Sequence, residues 1–292
     1  MFVDINWYGQ LSVLTKYLKT NIKIPFASIQ HGYITTNDFD ISGPRKLKAV
    51  PYLVWNKKIE NYFQSKKDYN VKAIGAPFIY IKDKKIKKPK GSMLMLIHSE
   101  NTLKQEIVSK LFLRKIKKYY PAPHKISLFY KDYNTKNINY YKNQGFEVLT
   151  FGSRNNTNHL SKLYKTLNEI ECFITDYVGS PFFYALYLKK KTKLIQNQYK
   201  YNTDLSMKKF YNRFMWLKKR ERYKFCKKFY NSKFIPQKAG YKIACEELGV
   251  KCLKTKSELF KLLGYDSLWK KIIAKIALNI RPKSLYYKTL LK

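Results

Sequence analysis

The residues best suited to chemistry stand where apolar runs give way to turns. In ITDYVGSPFFYALYL (174–188) a strand-like run ends at Thr175, a carboxylate follows at Asp176, and Gly179 and Ser180 precede Pro181 where an apolar helix begins. A helix N-terminus offers unpaired N–H groups and the positive end of a dipole, so Asp176, Gly179 and Ser180 are placed to hold the phosphate or sugar of a nucleotide. The same residues also suit an ordinary corner, with Asp176 as turn former and Ser180 as N-cap. A second corner, SIQHGYITTND (28–38), puts His31 and Gly32 just after a strand. An imidazole there suits a general base or a phosphate contact, because its ordinary pKa of about 6.5 lies near working pH.

Two further corners repeat the pattern. LIHSENTL (96–103) sets His98 and Ser99 between a strand and a helix, and FGSRNN (151–156) sets Gly152, Ser153 and Arg154 after another strand, within reach of a phosphate or base. His124 and His159 are read as structural. Asp38 and Asp40 bracket Phe39 but follow a histidine loop, so they are read as loop residues and no metal site is expected. Nothing matches GxGxxG, a Walker loop, GxSxG or HExxH, which argues against nicotinamide dehydrogenases, P-loop enzymes, α/β serine hydrolases and zincins.

The elements that must position these corners alternate between short apolar runs and segments of helical period, the pattern of a parallel sheet covered by helices. The runs SMLMLI (92–97), KISLFY (125–130), FEVLTF (146–151), ECFIT (171–175) and KTKLIQ (191–196) read as strands of a doubly wound domain. Between them fall helices over 103–119, with Ile107, Leu111 and Ile116 as the buried stripe, over 136–143, and over 160–170 on Leu160, Leu163, Tyr164, Leu167 and Ile170. Upstream lie a helix at 9–19, strands at 26–30 and 52–55, a helix at 56–66 and the run VKAIGAP (71–77). The expected organisation is a short Rossmann-like part over 1–80, a charged linker over 81–91, a nucleotide-binding domain over 92–200 and a basic helical extension over 201–292.

Composition limits the partners. The 292 residues carry 59 Lys+Arg against 19 Asp+Glu, a formal charge of +40 that favours anionic partners, although lysine-rich codon usage accounts for part of it. The 4 cysteines include no CxxC pair, which suits a reduced compartment and structural thiols. No apolar run reaches the roughly 20 residues that span a bilayer, and Met1 to Gln10 lacks the layout of a secretion signal. A cytoplasmic protein is expected, and the stripe of Trp269, Ile272, Ile273, Ile276 and Ile280 beside lysines admits two readings, docking peripherally on the inner face of the membrane or packing back across the first domain. Aromatic and basic residues interleave over 206–229, so a nonenzymatic nucleic-acid-binding module stands as an alternative, without any RRM, KH or helix-turn-helix pattern.

Taken in order, QHG after a strand, the WNKKI…VKAIGAP run (55–77), a strand ending in His98-Ser99, and ITDYVGS before an apolar helix resemble GT-B-fold enzymes of bacterial surface polysaccharide synthesis. The nearest types are CDP-glycerol glycerophosphotransferases and the capsule glycosyltransferases related to them, over residues 25 to 200. The resemblance implies a metal-independent glycosyltransferase without cofactor, its partners being a nucleotide-sugar donor and a glycan or lipid-linked acceptor; nucleic acid is not expected. It implies His31 as catalytic base or phosphate contact facing an interdomain cleft. Asp176 to Ser180 would bind the donor nucleotide with help from His98 and Ser99. The teichoic acid enzymes carry two adjacent serines after D-Y, whereas here Val178 and Gly179 intervene before Ser180; that favours a sugar donor over a polyol-phosphate donor, which stays as the alternative. Residues 1–80 are also short for a complete Rossmann-like domain, so strands of that domain are expected to be lacking or supplied by another chain.

Overall fold

A computed structural model describes residues 7–21, 27–33, 51–65, 70–82, 88–96, 108–195 and 233–266. Contacts divide the chain into two compact units. The described residues of Met1–Asp83, Arg154–Lys162 and Cys245–Lys292 form the first, and those of Lys84–Ser153 and Leu163–Ala244 the second. The division does not follow chain order: the beginning of a central helix and the residues from Cys245 onward group with the N-terminal segment rather than with their sequence neighbours. In the expected linker, Lys88 to Gly91 already belong to the second unit, where the Gly91 carbonyl accepts from the Glu171 and Cys172 amides.

The first unit holds three parallel strands in the order β1-β2-β3: β1 (Ser28–Ile29), β2 (Tyr52–Val54) and β3 (Val71–Ala73). Helix α1 (Gln10–Leu18) buries Leu11, Val13 and Leu14. Helix α2 (Lys57–Gln64) lays Ile59 and Phe63 onto Val54, Val71 and Ala73. Asn56 starts α2: its side-chain oxygen accepts from the Ile59 amide at 3.1 Å, while its Nδ2 donates to the Glu247 carbonyl at 2.9 Å. The buried Glu60 is satisfied by the Ala73 amide at 3.2 Å and the Lys57 ammonium at 2.9 Å. Gly249 is required, because its φ is +67° and a Cβ there would lie 1.7 Å from the Trp55 carbonyl oxygen.

The second unit contains all five of the strands read over 92–196. Its five strands, β4 (Ser92–Met95), β5 (His124–Ser127), β6 (Glu147–Leu149), β7 (Cys172–Thr175) and β8 (Lys191–Leu194), are all parallel in the order β6-β5-β4-β7-β8. Helices α3 (Lys110–Tyr119), α4 (Thr135–Asn143), α5 (His159–Glu169) and α6 (Ser180–Tyr187) connect them. Leu94, Ile126, Cys172 and Ile174 turn to one face, where Leu113 and Ile116 of α3 and Tyr141 of α4 cover them.

One stripe differs from the sequence reading. Leu111 was expected in the core beside Ile116; it is 65% exposed, and Leu113 occupies the buried position at 1%. Ser109 caps the helix by accepting from the Phe112 amide, and Leu113, Ile116 and Tyr120 then follow at i, i+3 and i+7. That phase leaves Leu111 on the outer side. The described part of the expected C-terminal extension is helical, as α7 (Gln237–Glu247) and α8 (Lys256–Leu262), the latter opened by a capping box between Thr255 and Glu258. The interleaved segment 206–229 and the stripe from Trp269 to Ile280 lie outside the described residues.

Candidate functional site

In the second unit, β4 and β7 are neighbours, with Met95 paired to Thr175, yet the chain winds from β4 toward β5 and β6 on one side and from β7 to β8 on the other. This is the topological switch point, where open α/β sheets leave a crevice beyond the carboxyl ends of their strands. Asp176, the next residue of β7, stands at that edge and is 5% exposed. The Thr175 hydroxyl holds the following turn, accepting from the Tyr177 amide at 3.4 Å. The Tyr177 ring lies over Gly179 so closely that a Cβ there would sit 2.3 Å from it.

Gly179, and not Ser180, is the N-cap of α6, and no side chain caps it. Ser180 is the first helical residue, its side chain hydrogen-bonded to that of Tyr184. The positive end of α6 thus begins at a glycine that brings no capping side chain of its own, three residues after the buried Asp176 carboxylate. His98 and Ser99 lie outside the described residues.

Gly152 and Ser153 do not join this corner. They follow β6, the edge strand, three strand spacings from β7, or roughly 14 Å. Gly152 has φ +82° and donates its amide to the Thr150 hydroxyl at 3.2 Å, as a turn does without a ligand.

Arg154 belongs to the first unit, where it meets His31. Its guanidinium lies over the Trp7 ring at 4.9 Å from the centroid, its carbonyl accepts from the Tyr8 amide, and the His31 ring approaches Trp7 edge-on at 4.7 Å. His31 follows β1 through Gln30, a fully buried residue that anchors the corner. The Gln30 side chain accepts from the Trp55 amide at 2.8 Å and donates to the Gly32 carbonyl at 2.8 Å. Gln10 of α1 donates its Nε2 to the His31 carbonyl. Although His31 is exposed, its surroundings lower its pKa, first by desolvation and second by the Arg154 charge. A neutral imidazole able to accept a proton results.

His124 and His159, read from the sequence as structural, both pack against neighbouring side chains. His124 shares a 2.9 Å hydrogen bond with Ser92 within the sheet, and the His159 ring packs edge-on against Tyr8 at 4.9 Å. Among the described residues no cluster of His, Cys, Asp or Glu forms a candidate metal site, and no helix is long and apolar enough to cross a membrane. Asp38 and Asp40 lie outside the described residues. Sequence reasoning missed Trp7, Gln10 and Gln30. Gln30 sits inside the QHG motif and could have been found there; nothing local marks Trp7 or Gln10.

With two parallel-sheet units, the chain is an α/β protein, as expected. It matches no family model and no curated protein. Among solved structures, a point mutant of S. aureus TarM in complex with fondaparinux, α-GlcNAc-glycerol and UDP is similar over 81% of this chain and 49% of its own, at 11% identity and a TM-score of 0.38. The chain spans about half the length of that structure, and an overlap of this extent establishes no shared activity.

Proposed function

We propose that the chain is a GT-B-type glycosyltransferase that moves a sugar from a nucleotide-sugar donor to a glycan or lipid-linked acceptor in surface polysaccharide synthesis, without a metal ion. The observation that carries this reading is the β4/β7 switch point, with buried Asp176 and the α6 N-terminus side by side at its edge.

In this account the nucleotide lies beyond the carboxyl ends of β4 and β7. The Asp176 carboxylate accepts hydrogen bonds from hydroxyl groups of the ribose or the sugar, and the positive end of α6 faces the diphosphate. As the bond between the anomeric carbon and the phosphate oxygen breaks, negative charge grows on the leaving phosphate, and a fixed helix terminus stabilises it without reorganising. The acceptor hydroxyl forms the new bond to the anomeric carbon and yields its proton to a base, the role that the resemblance gives to His31. Gly152 and Ser153, expected as further donor contacts, follow β6 at the far edge of the sheet, and this reading of the donor site does not depend on them. Arg154 acts beside His31.

The test is release of nucleoside phosphate from UDP-, CDP-, GDP- and CMP-sugars in the presence of a polysaccharide or lipid-linked glycan extract. Acceptor-dependent release is expected with one class of donor. His31→Ala should lower turnover by at least about 10²-fold with an unchanged melting temperature, and Asp176→Asn should raise KM for the donor. Absence of release from every donor by folded protein would reject the reading.

A further inference from the structure

Helix α3 carries an outer face that folding does not explain. Leu111, Arg114, Lys115 and Lys118 follow at i, i+3, i+4 and i+7, a single stripe on the side away from the buried Leu113 and Ile116. Leu111 is 65% exposed and Tyr119, at the helix end, is 62% exposed. The other exposed large hydrophobic residues among those described, Tyr133 at 38% and Leu253 at 41%, are less exposed and neither lies on a helix. The helix holds no acidic residue, Lys110 adds a further cation, and the Lys118 ammonium leans over the Tyr119 ring at 5.7 Å.

Solvation alone accounts for lysines on such a face but not for a leucine at its centre, where any polar residue would serve the fold equally well. We propose that this face of α3 docks on an anionic lipid surface, with Leu111 and Tyr119 entering the headgroup region and Arg114, Lys115 and Lys118 meeting lipid phosphates. The charge pattern selects the occupant. A second copy of the chain, itself at +40, would set like charges around Leu111 against one another. A nucleic acid would satisfy the cations but give an aliphatic side chain no base stack. An anionic membrane interface satisfies both, because it offers apolar depth beneath negative charge. The inference is independent of the proposed transfer reaction and uses none of its residues.

The test is co-sedimentation of the full-length protein with phosphatidylglycerol-containing vesicles, with pure phosphatidylcholine vesicles as reference. Binding to the anionic vesicles that weakens with salt is expected. Leu111→Ser should weaken it about fivefold and Leu111→Phe should retain it, whereas Arg114→Glu, Lys115→Glu and Lys118→Glu combined should lower it on the order of a hundredfold. Melting temperatures of the variants report whether each is folded. The proposal is overturned if the folded wild type does not bind, or if the variants bind as the wild type does, which would assign attachment to another segment such as 267–292. Equal binding by Leu111→Ser and wild type, with homopolymeric RNA displacing the vesicles, would also overturn it and reassign the face to nucleic acid.

Discussion

His31 is set up to be neutral by what surrounds it. Desolvation and then the Arg154 charge both oppose protonation, so if His31 is the base of the proposed transfer, the acid limb of kcat/KM belongs below the ordinary imidazole value of 6.5. Replacing Arg154 by Gln removes the second cause and leaves the first. The His31 pKa should then rise toward 6.5 without reaching it, and the acid limb should move up with it; titration of the imidazole C–H resonances by NMR checks the shift. The same lowering links stability to pH. Below 6.5 the unfolded chain binds a proton that folded His31 resists, so stability falls as the pH drops from 6.5 toward the lowered value and the loss is complete below it. His31 and Asp176 were legible because each follows a strand, where chemistry-bearing side chains collect. The grouping of Arg154 with His31 was not, since Arg154 follows the edge strand of one unit in sequence and packs on Trp7 of the other in space. No periodicity encodes such a contact.

At the level of elements, Asn56 does two jobs with one amide. Asn56→Ala removes the cap of α2, worth about 1 kcal/mol, and also strips the Glu247 carbonyl of its donor, for a total of about 2–4 kcal/mol. Asn56→Asp would keep the cap and turn a carboxylate toward a carbonyl, so it should rescue only in part; denaturant melts distinguish the three proteins. In α3 the contrast is sharper. Leu113→Ala should cost about 2–5 kcal/mol and Leu111→Ala almost nothing, since one is buried in the core and the other faces outward. The strands were readable because runs buried on both faces are apolar through most of their length, as over 93–95 and 172–174. The phase of α3 was ambiguous. Ile107, Leu111, Leu113 and Ile116 admit two stripes, and the Ser109 cap, which starts the helix at Lys110, decides between them.

The molecule as a whole is divided by contact, not by chain order. Residues near either end of the described chain share the first unit: the Lys254 amide donates to the Tyr80 hydroxyl at 2.9 Å, and Gly249 fits against Trp55 with no room for a methyl group. Gly249→Ala should therefore unfold the first unit while leaving the second intact, seen as two transitions in calorimetry where the wild type is compared under the same conditions. A composition profile along the sequence cannot show this, because the long-range packing of residues after 245 leaves no mark in local charge or period. The central claim is that the second unit binds a nucleotide at its switch point, and the position of a nucleoside diphosphate in crystals of the complex tests it most directly. The account predicts phosphate density beyond the carboxyl ends of β4 and β7, within hydrogen-bonding distance of the first turn of α6, with ribose or sugar hydroxyls on Asp176. Density at the carboxyl ends of β1–β3 instead, or none at saturating concentrations of UDP, CDP and GDP, would contradict it.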